Sequence, residues 1–137
     1  MTPVPIVFEK RIEIRWRDLD AFNHVNNAVY LTYLEEARDS WLAGMVPEGR
    51  STWDYVLARV AIDFRRELRE DDDFIVASCR LARLGRSSIV THEEVRMLDG
   101  ELSAEAESVM VARDADTGRS RPLTPAEIES FGRVTDS

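Results

Sequence analysis

The stretch Arg17-Asp18-Leu19-Asp20-Ala21-Phe22-Asn23-His24-Val25-Asn26-Asn27-Ala28-Val29-Tyr30 divides two kinds of hydrophobic periodicity. Upstream, across 8–17, Ile12, Ile14 and Trp16 alternate with Arg11, Glu13, Arg15 and Arg17, the period-2 pattern of a half-buried strand. Between Asp18 and Asn27 lie three asparagines and two aspartates. Such side chains bond to nearby backbone and favour turns, so the strand must end there. Downstream, across 28–45, Tyr30, Leu34, Ala37 and Trp41 fall at helical spacing, with no Gly before Gly44 and no Pro before Pro47. One long helix is predicted, with Asn26 or Asn27 placed to cap its first turn. Val29, Leu31, Tyr33 and Leu42 extend its apolar surface beyond one stripe, so it is expected to be covered on most sides.

After a loop with Pro47 and Gly49, the chain reads as consecutive antiparallel strands. The second strand, near 53–68, alternates Val56, Ala58, Val60, Ile62 and Phe64 with Arg59, Asp63 and Arg65. Asp71, Asp72 and Asp73 form a solvated acidic turn. The third strand carries Ile75, Ala77, Cys79 and Leu81 on one face and ends at Gly85. A fourth, 86–98, leads into Asp99-Gly100, a dipeptide suited to a tight hairpin turn, and a fifth runs over 101–113. Thr124-Pro125-Ala126-Glu127 supplies an N-cap, a proline at the first helical position and a capping-box glutamate, which predicts a short terminal helix. The fold class is therefore α+β: one long central helix wrapped by a five-stranded antiparallel sheet, the hot-dog architecture. The open edge of such a sheet is a natural place for a second copy to pair, giving a homodimer or a homotetramer built from dimers.

At 137 residues, one domain spanning 1–137 is expected. No run approaches the roughly 20 apolar residues of a membrane helix. The apolar run 4–8 is broken by Pro5 and resembles no export signal. Cys79 is the sole cysteine, which suits a reducing compartment, and a cytoplasmic location is expected. The formal net charge of -8 argues against nucleic acid as a partner. Arginines cluster at Arg65, Arg66 and Arg69, and at Arg80, Arg83 and Arg86; solvated strand faces and anion binding are both open readings of them. No nucleophile elbow, phosphate-binding glycine loop or paired-cysteine motif occurs. Two histidines with no partner pattern give no metal site, and no cofactor is implied.

The 17–30 stretch, continued by Leu34-Glu35-Glu36-Ala37-Arg38, resembles the signature of the 4-hydroxybenzoyl-CoA thioesterase-like acyl-CoA thioesterases. That resemblance implies hydrolysis of acyl-CoA thioesters to free acid and CoA. It aligns the family's catalytic carboxylate with Asp20 and its carbonyl-polarising backbone amide with Asn27. The chemistry is coherent: attack on a thioester carbonyl builds charge on oxygen, and free amides at a helix start can stabilise it. A carboxylate nearby can attack the carbon or take a proton from water. Asp18 is the rival, with a turn residue or an ion-pair partner of Arg15 or Arg17 as its plainer role; Asp20 is preferred because it lies closer to the helix start.

His24, Asn26 and Tyr30 are expected at the substrate, His24 through hydrogen bonding that fixes the loop. Arg83, Gly85, Arg86 and Ser87 resemble the family's segment for the pantetheine arm and nucleotide of CoA, against the plainer reading of a hairpin with exposed arginines. Many relatives carry Gly where this chain has Asn23, and Asn is the next most tolerant of positive φ. Phe22 is expected to pack under the loop. Glu35 is read as a partner for Arg38 on the same helix face, His92 as an exposed strand residue beside Glu93 and Glu94, and Glu36 as a remote candidate for catalysis. Two other functions compete. One is hydrolysis on an acyl carrier protein, whose acidity the chain's own charge disfavours; the other is a non-catalytic acyl-ligand-binding module.

Overall fold

The structure, a computed structural model, describes residues 3–136; Met1, Thr2 and Ser137 of the expected 1–137 unit lie outside the described residues. Strands β1 (Pro3–Pro5) and β7 (Val134–Asp136) pair antiparallel as a small two-stranded sheet. The main sheet holds β2 (Val7–Glu13), β3 (Tyr55–Phe64), β4 (Phe74–Leu84), β5 (Ser88–Met97) and β6 (Leu102–Ala112). Its order is β2-β4-β5-β6-β3, antiparallel throughout. Helix α1 (Asn27–Met45) packs on β2, β4 and β5, and α2 (Pro125–Phe131) follows the sheet. The expected architecture is the observed one. No helix of the described residues is long and apolar enough to cross a membrane.

Alternation buries Ile75, Ala77 and Cys79 of β4 and Ile89, Thr91, Glu93 and Val95 of β5 against α1, with Ala104, Ala106, Ser108 and Met110 of β6 on the same face. Each fully buried side chain such as Leu34 or Ile75 contributes about 1.5–3 kcal/mol of transfer free energy. The helix meets this face with Tyr30, Tyr33, Leu34, Ala37, Arg38, Trp41, Leu42 and Met45, a single stripe at i, i+3, i+4 and i+7 spacing. The expectation of a helix covered on most sides is corrected: Leu31 is exposed, and so are Glu35, Glu36 and Asp39.

Three strand limits also differ from expectation. The first strand stops at Glu13, because Trp16–Asp18 forms a 3₁₀ turn that leaves Trp16 81% exposed. The second covers only Tyr55–Phe64 and lies at the sheet edge, where Val56, Leu57 and Phe64 stay exposed. An edge strand has one neighbour, so alternation in its sequence does not guarantee burial. The turn after β5 is a four-residue loop in which Gly100 alone takes positive φ, at 94°, while Asp99 accepts a hydrogen bond from the Glu101 amide.

Arg38 does not pair with Glu35. Its Nη1 donates to both oxygens of Glu93 on β5, at 3.0 and 3.2 Å, beneath the helix. Thr91 and Ser108 hydroxyls complete the carboxylate's partners at 2.7 and 2.9 Å. Glu93 is wholly buried, while His92 beside it points outward, half-buried and paired with Glu94. Burial, and then the charge of Glu93, push the Cys79 thiol well above its ordinary range. The cysteine is an inert core residue.

At the far end, α2 begins as expected: Thr124 accepts from the Glu127 amide and Glu127 from the Thr124 amide. Glu127 is itself wholly buried, gripped by Arg121 at 2.6 and 3.0 Å and by the Tyr55 hydroxyl. A capping residue thus also docks its helix on the start of β3.

Candidate active site

The loop between β2 and α1 folds back on itself. The Asp18 carbonyl accepts from the Asn26 amide at 2.9 Å, Leu19 bridges Val25, and the Asp20 amide donates to the His24 carbonyl at 2.8 Å. At the tip, Asn23 takes φ 63°, the left-handed conformation that its side chain tolerates. The Val25 amide donates to the Leu68 carbonyl, which ties the loop to the chain leaving β3. Phe22 does not pack beneath it and is 80% exposed, because the tight tip turns position 22 outward.

Two aspartates of this loop have different environments. Asp18 is buried; its carboxylate accepts from the Arg15 amide at 2.9 Å, the Arg15 guanidinium at 3.0 Å and the Tyr33 hydroxyl at 2.8 Å. Burial alone would raise its pKa, but the bonds from Arg15 and Tyr33 outweigh it and hold the carboxyl below the usual range. Its capacity is spent on structure. Asp20 uses Oδ1 to accept from the Phe22 and His24 amides, at 2.9 and 3.3 Å, while Oδ2 has no partner among the described residues.

The helix start distinguishes its amides in the same way. Asn26 is the cap: its Oδ1 accepts from the Ala28 amide at 2.8 Å and its carbonyl from the Val29 amide at 2.8 Å. The Asn27 amide, first in the helix, has no acceptor among the described residues.

Asp20, His24 and Asn27 line one cleft of about 360 Å³, within the size range of small-molecule sites. Val25 and Tyr30 line it from within, the Tyr30 hydroxyl being bonded to Ser103 at 3.0 Å. Phe64, Arg65, Arg66 and Glu67 form the facing wall. The spacing of Arg66 and Glu67 does not single them out together, because a strand expected to run to 68 hides the turn that brings them over the loop. The signal in the sequence is the end of alternation at Arg65-Arg66-Glu67.

Asn26 is held as the helix cap and does not line the cleft. Arg83, Gly85, Arg86 and Ser87 lie at the β4–β5 turn, also outside the cleft. Arg83 pairs with Glu107 at 3.6 Å, and the Arg86 and Ser87 carbonyls accept from the Leu123 and Ala112 amides. A Cβ at Gly85 would meet the Ser88 hydroxyl at 2.3 Å, a contact that rotation of that side chain relieves, so the hairpin itself does not demand glycine here. Arg65 and Arg69 are paired with Glu105 and Glu67.

Known proteins resemble this chain in sequence and in fold. The long-chain acyl-CoA thioesterase FadM of Escherichia coli strain K12 is 29% identical over 121 residues, 84% of this chain and 89% of its own. A thioesterase of Thermus thermophilus, solved with coenzyme A and Zn, is 34% identical with a TM-score of 0.81, over 90% of this chain and 96% of its own. The DHNA-CoA thioesterase of Staphylococcus aureus superposes with a TM-score of 0.79 over 92% of this chain and 89% of its own; at 17% identity that likeness speaks for the fold alone. The Thioesterase-like superfamily pattern matches residues 14–131, from the last buried residue before the loop to the end of α2, and the chain belongs to that family.

Proposed function

We propose that this chain hydrolyses acyl-CoA thioesters to free acid and CoA. One observation carries the reading: a carboxylate oxygen of Asp20 and the Asn27 amide, both without intramolecular partners among the described residues, line the same cleft. The chain is a thioester hydrolase in which Asp20 attacks the acyl carbon or takes a proton from water, while the Asn27 amide polarises the carbonyl. His24 and Tyr30 line the substrate's path, and Asn26 contributes by holding the helix start. The names of FadM and of the CoA-bound Thermus enzyme support CoA as the carrier.

The protein acts as one domain and as a homodimer, or a tetramer of dimers, in the cytoplasm. Phe64 belongs both to the exposed edge strand and to the cleft wall, so a second copy seated on that edge would also wall the site. In this reading the turn with Arg83, Gly85, Arg86 and Ser87 serves the cleft of the partner subunit.

The test is thiol release from a panel of short, long and aryl acyl-CoAs. Asp20→Asn is expected to remain a folded oligomer and to lose about 10²-fold or more of its turnover on the best substrate. Turnover close to wild type would end the assignment of Asp20.

A further inference from the structure

Across the cleft from Asp20 lies a second carboxylate, Glu67, to which the proposed hydrolysis gives no role. Its Oε1 accepts from Nη2 and Nε of Arg69, at 2.6 and 3.2 Å, and its Oε2 lies 3.1 Å from Nδ1 of His24. The backbone of His24 is fastened independently of this contact. Its amide donates to Asp20 Oδ1, its carbonyl accepts from the Asp20 amide, and it bridges Arg69. The imidazole therefore has a fixed base and, among the described residues, one side-chain charge partner. The Arg69 hydrogen bond, and after it the charges of His24, Arg69 and Arg66, hold the Glu67 carboxyl below the usual range, so it is an acceptor only at neutral pH.

We infer that Glu67 is a positioning residue of the cleft, acting through His24: it keeps a proton on Nδ1 and leaves Nε2 as the ring's acceptor. The contact is a close charge approach and not an aligned hydrogen bond, but a carboxylate oxygen 3.1 Å from Nδ1 repels a lone pair and favours N–H there, and in the neutral ring the other nitrogen then carries the lone pair. An acceptor lining the cleft can orient a water by its O–H, which a hydrolase must bring to the acyl carbon; to that extent the inference rests on the proposed hydrolysis. Charged groups around the ring are Asp20 on its own loop and Arg65, Arg66, Glu67 and Arg69 on the segment after β3. Helix α1 contributes only the Tyr30 phenol, already bonded to Ser103.

The chain has two histidines, so the ring can be observed directly by long-range ¹H–¹⁵N NMR, with His92→Gln assigning the signals. In the wild type, neutral His24 is expected to carry its proton on Nδ1. In Glu67→Gln, whose parent side chain is half-exposed and outside the core, the ring should become a mixture of tautomers. In the same variant kcat on the best acyl-CoA should fall about threefold or more, with KM within about twofold. An Nε2–H ring in the wild type, an unchanged ring in Glu67→Gln, or a changed ring with kcat intact would each overturn the inference. The ring measurements need no substrate, so they fail or succeed separately from the Asp20→Asn turnover that tests the hydrolysis itself.

Discussion

The hydroxyl of Tyr33 donates to Oδ2 of Asp18 across 2.8 Å, a bond that runs from the body of α1 to the loop carrying Asp20. The same carboxylate holds the Arg15 amide and guanidinium, and the Asp18 carbonyl holds the amide of the helix cap, Asn26. One buried residue thus ties strand end, loop and helix start together, and the spacing between Asp20 and the Asn27 amide depends on it.

Removing that hydroxyl should loosen the junction. Tyr33→Phe is expected to cost about 1.5–3 kcal/mol, the usual loss for a hydrogen bond to a charged group. Because the Asp18 pKa is lowered on folding, its contribution is complete above the ordinary carboxyl value of 3.8 and disappears as pH falls through the folded value. Urea unfolding of both proteins from pH 2 to pH 7 checks this; a stability gap that does not narrow in acid would contradict it.

The Arg38–Glu93 pair lies between helix and sheet, with its carboxylate fully satisfied. Removing one partner strands a buried charge, so Arg38→Met or Glu93→Leu alone should destabilise by about 3–5 kcal/mol. The double substitution Arg38→Met with Glu93→Leu should recover most of that loss, since the desolvation of two ions disappears with them. Chemical denaturation of the three variants measures the coupling; additive losses would show that the two residues act separately.

Acid should release α2 from β3. Burial alone would raise the Glu127 carboxyl, but Arg121, the Thr124 amide and the Tyr55 hydroxyl hold it down at about 2. The stabilisation is on the order of 2–3 kcal/mol, is fully present above the reference value of 4.5, and is lost as pH falls towards 2. Glu127→Gln should therefore melt well below wild type at pH 7 and close to it at pH 2, read by thermal unfolding across that interval.

Positive φ at Asn23 makes the loop tip selective. Asn23→Ala is expected to cost about 1–2 kcal/mol, while Asn23→Gly should stay near wild type in stability and turnover. Comparable losses from both variants would mean that the asparagine side chain, and not the backbone conformation, is what the tip requires.

The polar run 18–27 between a period-2 segment and a period-3.6 segment was enough to place the loop and the helix, though not the end of the strand at Glu13, and Thr124-Pro125-Ala126-Glu127 was enough to place α2, because caps, turns and alternation are local physics. The left-handed tip at Asn23 was legible only through the family resemblance, which sets Asn23 where many relatives carry glycine. Tertiary structure alone decided which charges are buried. Arg38 looked like a surface partner for Glu35 and Glu93 like a neighbour of an exposed histidine, yet the two meet 55 positions apart beneath the helix. Only the chain's return after Phe64 brought Glu67 to His24, and only edge placement left β3 uncovered. Such pairings depend on which elements lie side by side, and a periodic pattern names the face of an element without naming what it will face.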